Sequence, residues 1–128
     1  METSMLEAHY GKIWIEGNII CGTFSQNVVI NLNVAKDMVK DRLMLSEGKP
    51  YLILVEIDKI KAVENKARSY FASTEGTRQL IAAALIANSY LSRIIGNFFL
   101  TFNKPLIPTR LFTDREEARQ WLRQYAID

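Results

Sequence analysis

One stretch, residues 79–102, is the most apolar part of the chain and limits which folds are open to it. Its length would suffice to span a bilayer. However, Asn88, Arg93 and Asn97 lie inside it, and a central arginine alone costs about 2.5–3.5 kcal/mol on insertion, so the transmembrane reading is set aside. The polar pair Asn88–Ser89 divides the stretch. Before it, Leu80 to Ala87 is short, apolar all round and placed where a buried parallel strand belongs. Its three alanines favour helix, which leaves one long helix from about Glu75 to Phe102 as the rival reading. After the corner, Leu91, Ile94, Ile95, Phe98 and Phe102 recur at helical spacing, with Leu91, Ile94, Ile95 and Phe98 as the expected core face. Lys104-Pro105 and Pro108 stop that helix.

The rest of the chain supplies partners for this stretch. Residues 1–9 are expected to be a flexible tail, leaving residues 10–128 as one domain. Tyr10 to Glu16 alternates as a strand, Gly17-Asn18 is a two-residue turn, and Ile19 to Phe24 returns as the second strand of a hairpin, with Gly22 marking a bulge or close approach. Val28 to Ile30 is a short extended lead-in. Asn31 or Asn33 caps the next helix, whose inner face carries Leu32, Ala35, Val39 and Leu43 beside Met38, and which stops near Gly48 and Pro50. Tyr51 to Ile57 is a continuous apolar run typical of a strand buried on both faces. Asp58 to Val63 reads as a loop, Asn65 to Thr74 as a short helix, Thr109 to Phe112 as a last strand. Thr113 with Glu116 is a capping-box pattern that opens the final helix, where Ala118, Trp121, Leu122 and Tyr125 form the inner stripe.

Strands alternating with helices imply a mostly parallel sheet with right-handed crossovers, and the opening hairpin adds an antiparallel edge. At 128 residues the chain is one domain with room for a proper core. Its 16 basic and 14 acidic residues are interspersed, for a net charge of +2, which gives no electrostatic case for nucleic acid. One cysteine, Cys21, allows neither an intramolecular disulfide nor a multi-cysteine metal site. It is expected to be a buried, inert thiol. No secretory signal opens the sequence, so a cytoplasmic protein is expected.

Several segments together carry a family resemblance. They are Ile57-Asp58-Lys59-Ile60-Lys61-Ala62-Val63, a helix, Ile81 to Asn88, Arg93 to Phe99, and Leu111-Phe112-Thr113-Asp114 through Ala118 to Trp121-Leu122. With the hairpin ahead of them they resemble the STAS domain, the SpoIIAA-like fold of anti-sigma-factor antagonists, and small bacterial STAS/SEC14-like proteins of unknown function. The resemblance covers residues 10–126 and rests on element pattern. It implies an α/β domain in which a hairpin and βα units form a mixed, mostly parallel sheet with four helices. It also implies a regulatory role through a protein partner. In the switching members a serine or threonine opens the helix after the central strand and is phosphorylated. Here that stretch is Glu64-Asn65-Lys66-Ala67-Arg68, with no hydroxyl at the helix start. Ser69 stands a turn inside, where a phosphate would meet less of the helix dipole.

Carboxyl ends of parallel strands are where open α/β sheets bind ligands. That draws attention to Asp58, Glu64 and Asn65 on one loop and to Asn88, Ser89, Ser92 and Arg93 on another. The second group is either an anion site at a helix N-terminus or a plain N-cap with a surface arginine. Asp58 and Glu64 are either an acid/base pair or turn and first-turn carboxylates. The single histidine, His9, falls in the expected tail. The six glycines are scattered at turns, with no phosphate loop and no metal-ligand spacing, so no cofactor is expected. Tyr90, Phe99 and Leu100 lie off the predicted core stripe and either form the candidate interface or pack beneath the Lys104–Pro108 loop. The leading expectation is a non-enzymatic regulatory or protein-interaction module, with self-association open to it. A small-molecule or lipid-binding SEC14-like domain is the alternative, and an enzyme acting through Asp58, Glu64 and Arg93 is the third reading.

Overall fold

The computed structural model describes residues 5–126. Strands β1 (Met5–Ala8), β2 (Gly11–Glu16) and β3 (Ile19–Phe24) form an antiparallel meander. After β4 (Val28–Ile30) and α1 (Leu32–Ser46), the central strand β5 (Tyr51–Glu56) pairs parallel to β3. Next come β6 (Ile60–Val63), α2 (Asn65–Ala72), β7 (Leu80–Ile86), α3 (Tyr90–Phe98), a π-helical turn over Phe99–Asn103, β8 (Thr109–Phe112) and α4 (Arg115–Arg123). The main sheet has the order β1-β2-β3-β5-β7-β8, and β3, β5, β7 and β8 run parallel. This is the expected mixed, mostly parallel sheet with four helices.

The alternation of the central strands distributes the core. Leu52 and Leu54 of β5, with Ala82, Ala84 and Ile86 of β7, point to one face and pack against Ala118 and Leu122 of α4. Small residues on β7 let that helix approach closely. The opposite face, with Phe24, Ile57 and Ala87, is covered by α1, α2 and α3. Residues 80–87 therefore resolve as a strand: β7 has strand partners on both sides, β5 and β8, and a helix there would have left both ladders unpaired.

Four local expectations are corrected. Residues 5–8 of the predicted tail form β1, a short edge strand laddered to β2 with Met5 opposite Trp14 and Ala8 opposite Gly11. Four residues carry too little periodicity to announce a strand, and the neighbour's open edge recruits them; residues 1–4 lie outside the described residues. The predicted loop over Asp58 to Val63 contains β6, which pairs parallel to β4 in a separate two-stranded sheet. Asn65 does not cap α2: Glu64 holds the cap position without a side-chain bond, and the Asn65 side chain accepts from Arg68. Asp114, not Thr113, caps α4, with its carboxylate accepting from the Glu117 amide at 2.9 Å. In α1, Asn31 is the cap that forms.

Candidate functional site

The corner between β7 and α3 is the most heavily bonded polar point of the domain. Ser89 caps α3 and forms a capping box with Ser92: the Ser92 amide donates to Ser89 Oγ at 3.0 Å, and the Ser89 amide donates to Ser92 Oγ at 3.1 Å. Asp58, just beyond the carboxyl end of β5, reaches across to the same helix end. Its Oδ1 accepts from the Asn88 amide at 2.6 Å, the Ser89 amide at 2.9 Å and the Ser92 hydroxyl at 2.8 Å. Burial alone would push this carboxyl up, but the amide bonds from Ser89 and Asn88 and the Ser92 hydroxyl outweigh it and hold its pKa below the ordinary value.

Asp58, Asn88, Ser89 and Ser92 are thus brought together, with a carboxylate of the chain itself standing where an outside anion was considered. Arg93 stays at the rim, exposed, with its Nε 3.5 Å from the Ala87 carbonyl. Glu64 and Asn65 sit at the start of α2, where the Glu64 amide donates to the Ile30 carbonyl at 2.9 Å. No side-chain hydrogen bond joins them to the Asp58 group among the described residues. His9 is exposed at the end of β1, and Ser69 is exposed on α2.

The orientation of α3 overturns the predicted core face. Its buried residues are Ser92 and Gly96, flanked by half-buried Ile95 and Phe99. A Cβ on Gly96 would come 2.6 Å from Leu111 Cδ1 and 3.3 Å from Ile57 Cδ1, so the helix lies on the sheet at that point. This contact and the Asp58–Ser92 bond turn the small, polar stripe inward. Leu91 and Ile94, both 48% exposed, and Phe98, 42% exposed, face outward instead, with Tyr90, Phe102 and Leu106 more exposed still. The candidate interface changes accordingly. Tyr90 belongs to it, whereas Phe99 and Leu100 are half-buried and Phe99 turns toward the interior. Phe98 and Phe102 stack with ring centroids 4.5 Å apart, and the Arg68 guanidinium lies 4.7 Å over Phe98. Helix α3 itself carries Arg93 and no acidic residue, the Arg68 guanidinium covers the face at Phe98, and the Asp58 carboxylate stands at the helix's N-terminal end.

Behind α3, between the sheet and α1–α3, is an apolar cavity of about 170 Å³. Ile13, Val55 and Leu85 wall its sheet side, and Met38, Ile95 and Phe99 its helix side. Ala83 also lines its sheet side and contributes only a methyl group. Two arginines line it, Arg42 and Arg68. Arg42 is 5% exposed and donates to the carbonyls of Arg78 at 2.8 Å and Gly76 at 3.1 Å. Burial draws its pKa down to about 10. Arg68 donates to the Val63 carbonyl and the Asn65 side chain. In the sequence Arg42 is one of the interspersed charges, in Lys40-Asp41-Arg42. The signal that would have found it is its place in the stripe Ala35, Val39, Arg42, Ser46, the buried residues of α1.

A family model, Domain of unknown function (DUF7793), matches residues 13–126. Among solved structures, the chain is similar to an uncharacterized protein of the DUF3478 family with a SpoIIAA-like fold from Shewanella loihica PV-4. The TM-score is 0.61 at 12% identity, over 95% of this chain and 96% of that one. At this identity the likeness concerns the fold. Nothing among curated proteins matches.

Proposed function

Since the chain belongs to the DUF7793 family and has a SpoIIAA-like fold, we propose that it is a non-enzymatic, cytoplasmic interaction module that docks a protein partner on the outer face of α3. The observation that carries this reading is the run of exposed apolar residues Tyr90, Leu91, Ile94, Phe98 and Phe102 on one helix and its π-turn. Isolated exposed apolar residues are ordinary, but a contiguous patch with aromatic anchors is the usual mark of an interface. Arg93 on the helix and Arg68 over Phe98 favour a partner whose own apolar patch carries carboxylates. The phospho-acceptor position of the switching STAS members is occupied by Glu64 and Asn65, so regulation here runs through occupancy of the α3 face. The non-enzymatic part is supported by Asp58, whose Oδ1 is committed to three donors.

Cross-linking in native extract, with the chain and its Phe98→Asp variant side by side, tests this. A partner cross-linked through α3 by the native chain and lost by the variant is the expected result. Partners that survive Phe98→Asp, self-association as the sole interaction, or binding to anionic vesicles in place of protein would each overturn it.

The cavity favours a second reading, a binding site for a small apolar ligand. Native mass spectrometry of freshly purified protein checks it. A retained mass that disappears when Ala83→Leu fills the sheet side of the cavity is expected, and a clean apo spectrum together with no uptake of toluene counts against it.

A further inference from the structure

Two arginines line the mostly apolar cavity, and no carboxylate among the described residues pairs with either of them. None of the ion pairs among the described residues includes Arg42 or Arg68. Lys12, which also lines the cavity, differs: its ammonium pairs with Glu7 at 3.5 Å. The nearest acid in sequence to Arg42 is Asp41, whose carboxylate is held by the Tyr10 hydroxyl at 2.7 Å. Of the five N–H groups on the Arg42 guanidinium, two meet the carbonyls of Arg78 and Gly76, leaving three without a partner among the described residues. Arg68 keeps a buried Nε with no hydrogen-bond partner. A buried guanidinium without a counter-charge is costly, and a buried cation beside an empty apolar space is the arrangement expected of a ligand site.

We propose that the cavity takes a small aromatic or aliphatic carboxylate, with its apolar body among Ile13, Val55, Leu85 and Phe99 and its carboxylate on the guanidinium of Arg42. This rests on the second reading above, that the cavity is a ligand site, and names the ligand's chemistry. Size sets one limit. An apolar cavity of about 150 Å³ holds benzene, so about 170 Å³ accommodates one ring or a short chain. Charge sets the other. A planar guanidinium with free N–H groups matches a carboxylate in two parallel bonds, a geometry a lysine does not reproduce. Arg42 remains charged at neutral pH, since burial brings its pKa only to about 10. Its two carbonyl bonds anchor it to the loop ahead of β7, so the guanidinium is fixed before the ligand arrives.

The test is a methyl NMR titration of the full chain with benzoate and, separately, with toluene, its uncharged counterpart. Benzoate is expected to shift the Val55 and Leu85 methyls saturably and to bind at least tenfold tighter than toluene. Arg42→Met is expected to weaken benzoate at least tenfold while leaving toluene within twofold. Arg42→Lys, which keeps the charge and loses the fork, falls between. If Arg42→Met does not fold, Arg42→Lys and the benzoate-to-toluene ratio on the native chain decide. Toluene binding as tightly as benzoate, or both probes weakening alike in Arg42→Met, overturns the carboxylate assignment and leaves the cavity reading standing. If neither probe binds at millimolar concentration, the cavity reading falls and the carboxylate with it.

Discussion

The Ser92 hydroxyl donates a 2.8 Å hydrogen bond to Asp58, 34 residues earlier in the chain. That bond, with the two amides bound to the same carboxylate oxygen, joins the end of the central strand to the first turn of α3. It supplies the negative charge that a helix N-terminus favours, and it sets the rotation of the helix whose outer face is the proposed docking surface.

Replacing Asp58 therefore loosens α3. Asp58→Ala leaves the amides of the exposed Asn88 and Ser89 to water and deprives the buried Ser92 hydroxyl of its carboxylate, and is expected to cost about 1–3 kcal/mol in urea unfolding. The sign with pH follows from the lowered folded-state pKa. The stabilisation is fully present above the unfolded value, about 3.9, and is lost as pH falls below it through the folded pKa. Asp58→Asn is expected to flatten the stability curve below about pH 4 relative to the native chain. An unchanged acid limb would show that this carboxylate is not coupled to folding.

Gly96→Val is expected to destabilise by about 1–3 kcal/mol through overpacking, because the new side chain enters the space of Leu111 and Ile57. Thermal unfolding measures it. A neutral outcome would mean that α3 can lift off the sheet without loss.

The outward turn of α3 predicts opposite responses from neighbouring positions. Phe98→Asp is expected to cost about 1–2 kcal/mol, through the lost stacking on Phe102, the contact with Arg68 and the covered part of the ring. Ile95→Asp places an unpaired carboxylate against the core and is expected to cost at least about 3 kcal/mol. Denaturant midpoints of the two variants decide, and equal costs would contradict the orientation.

Cys21 is fully buried in the core on the α4 side of the sheet, and burial pushes its thiol pKa up. The native chain is expected to resist thiol reagents at neutral pH and to release one reactive thiol on unfolding. Modification at the same rate in both states would place the sulfur at the surface.

Much of the fold was legible because its signals are local. The apolar run Tyr51 to Ile57, the Gly17-Asn18 turn and the breaks at Gly48 and Pro105 mark elements without reference to anything distant. The strand β1 and the small sheet of β4 and β6 were not legible, because each is held by a neighbour's unpaired edge more than by its own pattern. The candidate site divides the same way. The residues of the β7–α3 corner stood out as a helix start, but that Asp58 would complete it depended on a contact across 34 residues.

The apolar block of residues 79–102 shows where the boundary lies. By itself the sequence marked Asn88–Ser89 as the polar corner of the block and the run after it as a helix, but it left the run before it as strand or helix, which the ladders to β5 and β8 decided. It could not determine which side of the helix would face the sheet, because α3 carries apolar residues on more than one face and periodicity cannot choose between them. Tertiary structure decided that, through the close contact at Gly96 and the carboxylate of Asp58. A helix rotates to bring its smallest side chains onto the sheet and its capping groups onto their acceptor, and the larger apolar residues are left outside.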